Sequence, residues 1–149
     1  MKTLAIGCDH AGYEYKEALR KSLEEEGYTV LNFGTDSPAS VDYPDFVHPV
    51  CRAIEIGEAD QGILICGSGV GAAVAVNKLK GIRAALCGDT YSAHQSREHD
   101  DCNVLCLGAR VTGEELALEL VRAFVAARFS GEERHRRRLA KVLEMEESG

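Results

Sequence analysis

Short apolar runs that alternate with longer helix-period stretches constrain the fold of this chain more than any other feature. Most runs are apolar at successive positions, which is typical of strands covered on both faces. The alternation predicts an α/β fold with a mostly parallel sheet and helices on both sides. The predicted strands are Leu4–Gly7, Thr29–Phe33, Ile63–Cys66, Arg83–Cys87 and Val104–Leu107.

The stretches between these runs carry helix signals. Leu19 and Leu23 continue an apolar stripe at fourfold spacing, and Pro44 suits the first turn of a second helix. Thr112 begins a capping-box pattern ahead of another amphipathic stretch. A last helix is predicted from about residue 132 to residue 144, followed by a frayed tail.

The composition limits the classes of function. The chain has 149 residues, of which 45% are hydrophobic, so we expect residues 1–149 to form a single domain. A net charge of −7 argues against a nucleic-acid partner. The apolar runs are too short for a bilayer and the first residues lack a signal-peptide pattern, so we expect a cytoplasmic protein without a membrane partner. No metal-binding motif is present among the six cysteines and five histidines.

Polar and reactive side chains cluster next to the predicted strands. Ligands of open parallel sheets bind beyond the carboxyl ends of the strands. Cys8–His10 follows the first strand, Cys66–Ser68 the third and Gly108–Arg110 the fifth. Arg97–Asp100 precedes the fifth strand, and we assign it to the same edge. The sequence therefore predicts a site at this edge.

The glycine-rich segment ILICGSGVGAAVAVN, residues 63–77, has three interpretations. Gly67-x-Gly69-x-x-Ala72, with Asp89 further on, fits a loose dinucleotide fingerprint, although it follows the third strand rather than the first. The glycines could instead serve only a tight strand-to-helix turn. The third interpretation is a loop whose backbone N–H groups stabilise an anion formed during a reaction.

Cys66 gives the third interpretation its chemistry. A cysteine between a strand end and a helix start faces the positive end of the helix dipole, which suits a thiolate base or nucleophile. Ser68 can donate or accept a hydrogen bond beside it. Further along, the cluster RHRRR at 134–138 is either a solvated helix face, a grip for one phosphate by Arg134 and Arg138, or a contact for a partner helix or an acidic protein surface.

Together these motifs resemble the type B ribose-5-phosphate isomerases, a family that also includes galactose-6-phosphate isomerase subunits. The resemblance extends over nearly the whole chain. It rests on GCDHAG at 7–12, DYPDF at 42–46, GILICGSGVG at 62–71, NKLKGIRAAL at 77–86, SREHDDCNVL at 96–105, LGARV at 107–111 and RHRRR at 134–138.

The resemblance implies a three-layer α/β/α Rossmann-like sandwich with a five-stranded, mostly parallel sheet. It implies a homodimer, in some members a tetramer, with active sites at the subunit interface and the last helix reaching the partner. The implied reaction is the interconversion of D-ribose 5-phosphate and D-ribulose 5-phosphate, with no metal and no organic cofactor.

The resemblance also implies roles for individual residues. Cys66 is the base that moves a proton between C1 and C2 of the open-chain sugar through an enediolate. Ser68 assists at the neighbouring hydroxyl, and His99 helps to open the furanose ring. The backbone N–H groups of the loop hold the enediolate oxygen. The implied substrate-binding residues are Asp9, His10, Tyr43, Gly67, Gly69, Gly71, Asp100, Arg110, Arg134 and Arg138, of which His10 and the three arginines grip the phosphate.

Three departures from the family pattern bear on function. Ser68 stands where threonine is common, which keeps the hydroxyl. Asp100 stands where asparagine is common, which replaces an amide donor with a negative acceptor. The segment Gly131–Glu133 is one residue longer than usual, which affects the register of the arginines after it. A six-carbon sugar phosphate, such as allose or galactose 6-phosphate, and a non-catalytic sugar-phosphate-binding role stay open as alternatives.

Overall fold

The computed structural model describes residues 2–34, 39 and 42–149, and these residues form one five-stranded sheet. Its spatial order is β2-β1-β3-β5-β4, and every neighbouring pair is parallel. The predicted strands are confirmed, with ends that move by at most two residues. The strands are β1 (Thr3–Cys8), β2 (Thr29–Asn32), β3 (Gln61–Cys66), β4 (Ala84–Leu86) and β5 (Val104–Gly108).

Helices connect the strands, and a short 3₁₀ turn at His10–Gly12 precedes the first of them. Pro44 begins the second helix, as predicted. The described part of the chain offers no helix long and apolar enough to cross a membrane. The helices are α1 (Tyr13–Glu25), α2 (Pro44–Glu55), α3 (Val70–Val76), α4 (Thr90–Asp100), α5 (Glu114–Ala126) and α6 (Glu133–Ser148).

Two details of the predicted helices are wrong. Gly113, with extended backbone, is the N-cap of α5 and makes no side-chain cap, so Thr112 does not open a capping box. Thr112 is buried instead, and its carbonyl accepts a 2.6 Å hydrogen bond from the Tyr15 hydroxyl. The last helix continues to Ser148, four residues beyond the predicted end, and Glu146 near its end accepts a 2.8 Å hydrogen bond from the Gly81 N–H.

Side chains alternate between the two faces of the sheet and bury both. Leu4 and Ile6 of β1 pack with α1, α4 and α5, whereas Ala5 between them packs with α2 and α3. The central strand β3 is buried at all six positions. The predicted three-layer α/β/α arrangement is confirmed. The apolar runs predicted it because a strand that helices cover on both faces is apolar at successive positions.

In a parallel sheet, the residues that follow the strands lie at one edge, the carboxyl edge. The residues that precede the strands lie at the opposite edge, the amino edge. Cys66 ends β3, whereas the Gly62 N–H near its start bonds the Asn103 carbonyl at 2.9 Å. Asn103 immediately precedes β5, and α4 ends three residues earlier at Asp100. Since β3 has six residues, the two edges of the sheet lie about 17 Å apart.

Candidate active site

The turn from β3 into α3 holds Cys66 against its own backbone. The Cys66 side chain is 6% exposed, and its Sγ accepts a 3.2 Å hydrogen bond from the Gly69 N–H. Gly69 has a φ of +87°, in the left-handed region that glycine adopts without a Cβ penalty. A Cβ added at Gly69 would also come within 2.5 Å of the Leu86 Cδ1 and 3.0 Å of the Leu107 carbonyl carbon, so a glycine is needed directly after the N–H that contacts the sulfur.

The end of β5 supports this loop from one side. The Ala109 N–H donates to the Cys66 carbonyl at 2.8 Å, and the Arg110 N–H donates to the Gly67 carbonyl at 2.9 Å. The Arg110 guanidinium lies beside Gly67, where an added Cβ would sit 3.6 Å from its Nη1. The Ser68 side chain is exposed, and its Oγ accepts from the Val70 N–H at 3.2 Å. A cation and a hydroxyl therefore flank the thiol.

The end of β1 and the start of α2 complete this side of the site. Asp9 is 9% exposed, and its Oδ1 accepts a 3.0 Å hydrogen bond from the Ala11 N–H. Asp9 thereby caps the 3₁₀ turn that begins with His10. The Tyr43 ring lies against Gly71, because a Cβ added there would come within 2.9 Å of its Cζ. Asp9, Tyr43 and Cys66 line one small cavity.

We call this group the carboxyl-edge cluster, and it brings together most of the predicted site. Its chemistry suits a small polyol phosphate, because it offers a thiol, a carboxylate, a hydroxyl and an arginine. Its members are Asp9, His10, Tyr43, Cys66, Gly67, Ser68, Gly69, Gly71 and Arg110.

The other four predicted residues lie at the opposite edge of the sheet. His99 and Asp100 end α4, immediately before β5, and His99 stacks on His135 at the start of α6. Arg134 and Arg138 lie one turn apart on the same helix. The assignment of His99 and Asp100 to the carboxyl edge is wrong, because residues that precede a parallel strand lie at its amino end. We call His99, Asp100, Arg134 and Arg138 the amino-edge cluster.

Sequence reasoning missed the groups that surround His99. The ring centroids of His99 and His135 are 4.1 Å apart, with 25° between the ring planes. The Gln95 Nε2 is 2.9 Å from the His99 Nδ1, and the Ser130 Oγ is 2.5 Å from the His135 Nδ1. The i,i+4 spacing of Gln95 and His99 was a signal in the sequence. His135 lies within the basic cluster at 134–138, whose charge gives no sign of a buried ring.

His135 differs from its arginine neighbours because it is buried. Its side chain is 3% exposed. Burial lowers its pKa from the ordinary value, and the neighbouring His99 and Arg134 lower it further. The neutral form of His135 is therefore favoured at pH 7.

Asp89, the acid that the dinucleotide interpretation required, has a structural task. It is the N-cap of α4, and its Oδ1 accepts a 2.7 Å hydrogen bond from the Ser92 N–H. Among the residues that the structure describes, no group of three His, Cys, Asp or Glu side chains is placed to hold a metal. The capping role of Asp89 argues against the dinucleotide interpretation of the glycine-rich segment.

A family model described as ribose/galactose isomerase matches residues 4–142. The chain belongs to this family. It is 45% identical to ribose-5-phosphate isomerase B of Escherichia coli, over 99% of this chain and 98% of that one. It is also 41% identical to a D-erythrulose-4-phosphate isomerase of Pectobacterium atrosepticum, over 88% of this chain and 87% of that one.

Solved structures of the ribose/galactose isomerase family agree with the fold. The ribose-5-phosphate isomerase B of Clostridium thermocellum matches with a TM-score of 0.95 and 47% identity, covering 98% of each chain. The type B enzyme of Trypanosoma brucei matches with a TM-score of 0.92 and 44% identity, covering 97% of this chain and 99% of that one. The Rossmann-like α/β/α fold is confirmed, and the chain is a sugar-phosphate isomerase.

Proposed function

We propose that this protein interconverts D-ribose 5-phosphate and D-ribulose 5-phosphate through an enediolate, without a metal or an organic cofactor. The observation that carries this proposal is the pairing of the Cys66 sulfur with the Gly69 N–H, inside a loop flanked by Ser68 and Arg110. Such an arrangement supplies a base and a set of donors for an oxygen that gains charge. Relatives named as ribose-5-phosphate isomerases support the choice of a pentose phosphate.

The proton transfer takes place on the open-chain sugar. Cys66, as the thiolate, removes the proton from C2 of the aldose, and the released electron pair forms the C1–C2 double bond while O1 becomes negative. Backbone N–H groups of the loop from Gly67 to Gly71 hold that oxygen, and Ser68 bonds the neighbouring hydroxyl as its proton passes from O2 to O1. Cys66 then returns its proton to C1, which completes the ketose.

Ring opening must come first, because ribose 5-phosphate closes on its 4-hydroxyl. We assign this step to His99, which takes the proton from O1 and delivers it to the ring oxygen as the C1–O4 bond breaks. In one chain, however, His99 and Cys66 lie at opposite edges of the sheet, about 17 Å apart along β3. A single chain therefore does not bring them to one sugar.

A second copy of the chain resolves this separation. We propose a homodimer in which the amino-edge cluster of each copy meets the carboxyl-edge cluster of the other. The phosphate is then held by His10 and Arg110 of one copy and by Arg134 and Arg138 of its partner. In the free chain Val142 and Met145 of α6 are exposed, at 47% and 73%. Their exposure supports the expectation that α6 contacts the partner subunit. Two such dimers could also pair into a tetramer.

Asp100 is the feature that bears on the choice of sugar. The family includes a relative named for a four-carbon ketose phosphate, and the residues around the sugar decide its length. A carboxylate at position 100 accepts hydrogen bonds but donates none, which favours a different hydroxyl pattern from that read by an amide. Isomerisation of a four-carbon or six-carbon sugar phosphate, including allose or galactose 6-phosphate, is therefore the second candidate.

All six cysteines are free, which is typical of a reducing compartment, and we include a cytoplasmic location in the proposal.

The test is isomerisation of ribose 5-phosphate by the purified protein. Erythrose 4-phosphate, allose 6-phosphate and galactose 6-phosphate are assayed beside it, with Cys66→Ala as the control. The proposal predicts the highest kcat/KM on the pentose and none in the variant. A higher kcat/KM on another sugar would keep the chemistry and replace the substrate. Binding without turnover on all four would contradict the enzymatic proposal.

A further inference from the structure

His99 has two neighbours that hold its ring from different directions. Gln95, one turn earlier on α4, places its Nε2 2.9 Å from the His99 Nδ1. His135, from α6, covers one ring face at a centroid distance of 4.1 Å. With one nitrogen and one face occupied, Nε2 is the ring nitrogen of His99 left for another partner.

The second neighbour is itself fixed to α4. The Ser130 N–H donates to the Glu98 carbonyl at 2.9 Å, which anchors the segment before α6 to the helix that carries His99. The Ser130 Oγ accepts from the Glu132 N–H at 3.2 Å, which leaves the hydroxyl proton for the His135 Nδ1 at 2.5 Å. His135 is 3% exposed, so its ring has little freedom to move away from the stack.

From this geometry we infer that Gln95 and His135 are positioning residues, which aim the Nε2 of His99 at the sugar during ring opening. The inference rests on the proposed function, because it assigns a task to His99. Moving O1's proton to the ring oxygen requires Nε2 to accept a proton and then to donate it. In the structure the Gln95 amide N–H donates to Nδ1, which corresponds to the resting ring with its proton on Nε2. When Nε2 is to accept the O1 proton, Nδ1 carries the ring proton and donates it to the amide oxygen, so the amide serves both states by turning about its last bond.

The neutrality of His135 fits the same task. A protonated His135 would put a positive charge against the ring that must itself become an imidazolium. Burial lowers the pKa of His135, so the stack stays uncharged on that side at pH 7. The other charged groups that act on His135 are Glu132, Arg134 and Arg138 around the start of α6. On α4, Glu98 and Asp100 flank His99 in sequence, and the Glu98 carboxylate faces His94.

The test compares Gln95→Leu with Gln95→Glu, which keeps a polar partner for Nδ1. His94→Ala, at the preceding and half-exposed position of the same helix, is the matched control. We expect Gln95→Leu to lower kcat on ribose 5-phosphate about tenfold to a hundredfold with KM nearly unchanged. Gln95→Glu should recover kcat to within a few-fold of the wild type, and His94→Ala should equal the wild type.

An isotope effect separates positioning from a general structural role. When ring opening slows, removal of the C2 proton limits the rate less. The isotope effect of C2-deuterated ribose 5-phosphate should therefore be smaller in Gln95→Leu than in the wild type. His135→Ala, which removes the stack, should also lower the isotope effect. His135→Phe, which keeps an aromatic ring at this position, should lower it less.

Three results would overturn the inference. The first is a kcat of Gln95→Leu within twofold of His94→Ala. The second is a lower kcat with an unchanged isotope effect, which would indicate a loss of active protein. The third is an equal loss in Gln95→Glu and Gln95→Leu. A failure of the proposed function itself looks different, since the wild type would then not turn over ribose 5-phosphate.

Discussion

The Gly69 N–H donates a 3.2 Å hydrogen bond to the Cys66 Sγ. The loop that is proposed to bind the enediolate therefore also positions the sulfur of the proposed base. The two residues are three apart, and Gly69, with its positive φ, turns the chain into α3 directly after this contact. Base and oxyanion donors thus have a fixed separation before any sugar arrives. Such preorganisation is a main source of rate acceleration in enzymes.

Replacing Cys66 with alanine removes the proposed base and the acceptor of the Gly69 N–H, while the backbone bonds from Ala109 and Arg110 still hold the loop. We expect Cys66→Ala to unfold at nearly the wild-type temperature and to lose isomerisation by about 10³-fold. Cys51→Ala is the control, because Cys51 is buried in the same core cluster and burial raises its pKa to about 12. Steady-state kinetics and thermal melting of both variants check this, and turnover of Cys66→Ala near the wild-type rate would exclude Cys66 as the base.

Arg138 tests the proposed phosphate grip. A charged hydrogen bond to phosphate contributes about 1.5–3 kcal/mol, so we expect Arg138→Ala to raise KM roughly tenfold to a hundredfold with little change in kcat. Arg136→Ala serves as the control, because the Arg136 guanidinium lies beside Gly131. Similar KM values for the two variants would mean that α6 presents a different arginine to the phosphate.

Asp100 brings a negative charge to a site that is to bind a phosphorylated sugar. We expect Asp100→Asn to lower KM for ribose 5-phosphate several-fold, because the amide can donate and the charge is lost. Glu98→Gln makes the same charge change two residues away and should leave KM unchanged. A higher KM in Asp100→Asn would show that the carboxylate itself binds the substrate.

The lowered pKa of His135 predicts how stability depends on pH. In the unfolded chain the imidazole titrates near 6.5, whereas the folded protein binds that proton only at lower pH. Below about pH 6.5 the unfolded state therefore holds more protons, and the free energy of unfolding falls as the pH falls toward the folded pKa. Urea unfolding from pH 7.5 to pH 5 should show a shallower decline for His135→Asn.

The control for this pH dependence is His48→Asn. The His48 side chain is exposed on α2, and the variant should decline as steeply as the wild type. Parallel declines for the wild type and His135→Asn would contradict the prediction, because they would show that the buried imidazole does not contribute to it.

The sequence predicted the sheet well, because each strand is buried on both faces and its apolar run marks it. It predicted the β3–α3 loop for a similar reason, since glycines and a cysteine at a strand end leave few local alternatives. The edge to which His99 belongs was missed, because the motif was read with the strand that it precedes. The extent of α6 was also missed, because contacts such as Glu146 with Gly81 are distant in sequence.

The environment of His99 shows a second limit. Gln95 was predictable as its i,i+4 neighbour, but the stack with His135 joins two helices that are separated by β5 and α5. No local pattern reports such a contact. The burial of His135 between arginines was likewise invisible, because the surrounding charges indicate a solvated face.

A mixing experiment tests the sharing of one site between two copies of the chain most directly. Cys66→Ala and His99→Asn are each purified, shown to be inactive, mixed in equal amounts, and allowed to exchange subunits before assay. In a mixed dimer one site receives an intact Cys66 from one chain and an intact His99 from the other. Random exchange should therefore restore about a quarter of the wild-type activity on ribose 5-phosphate. If exchange is confirmed by mass spectrometry and activity stays absent, each site is built within one chain and the account is wrong.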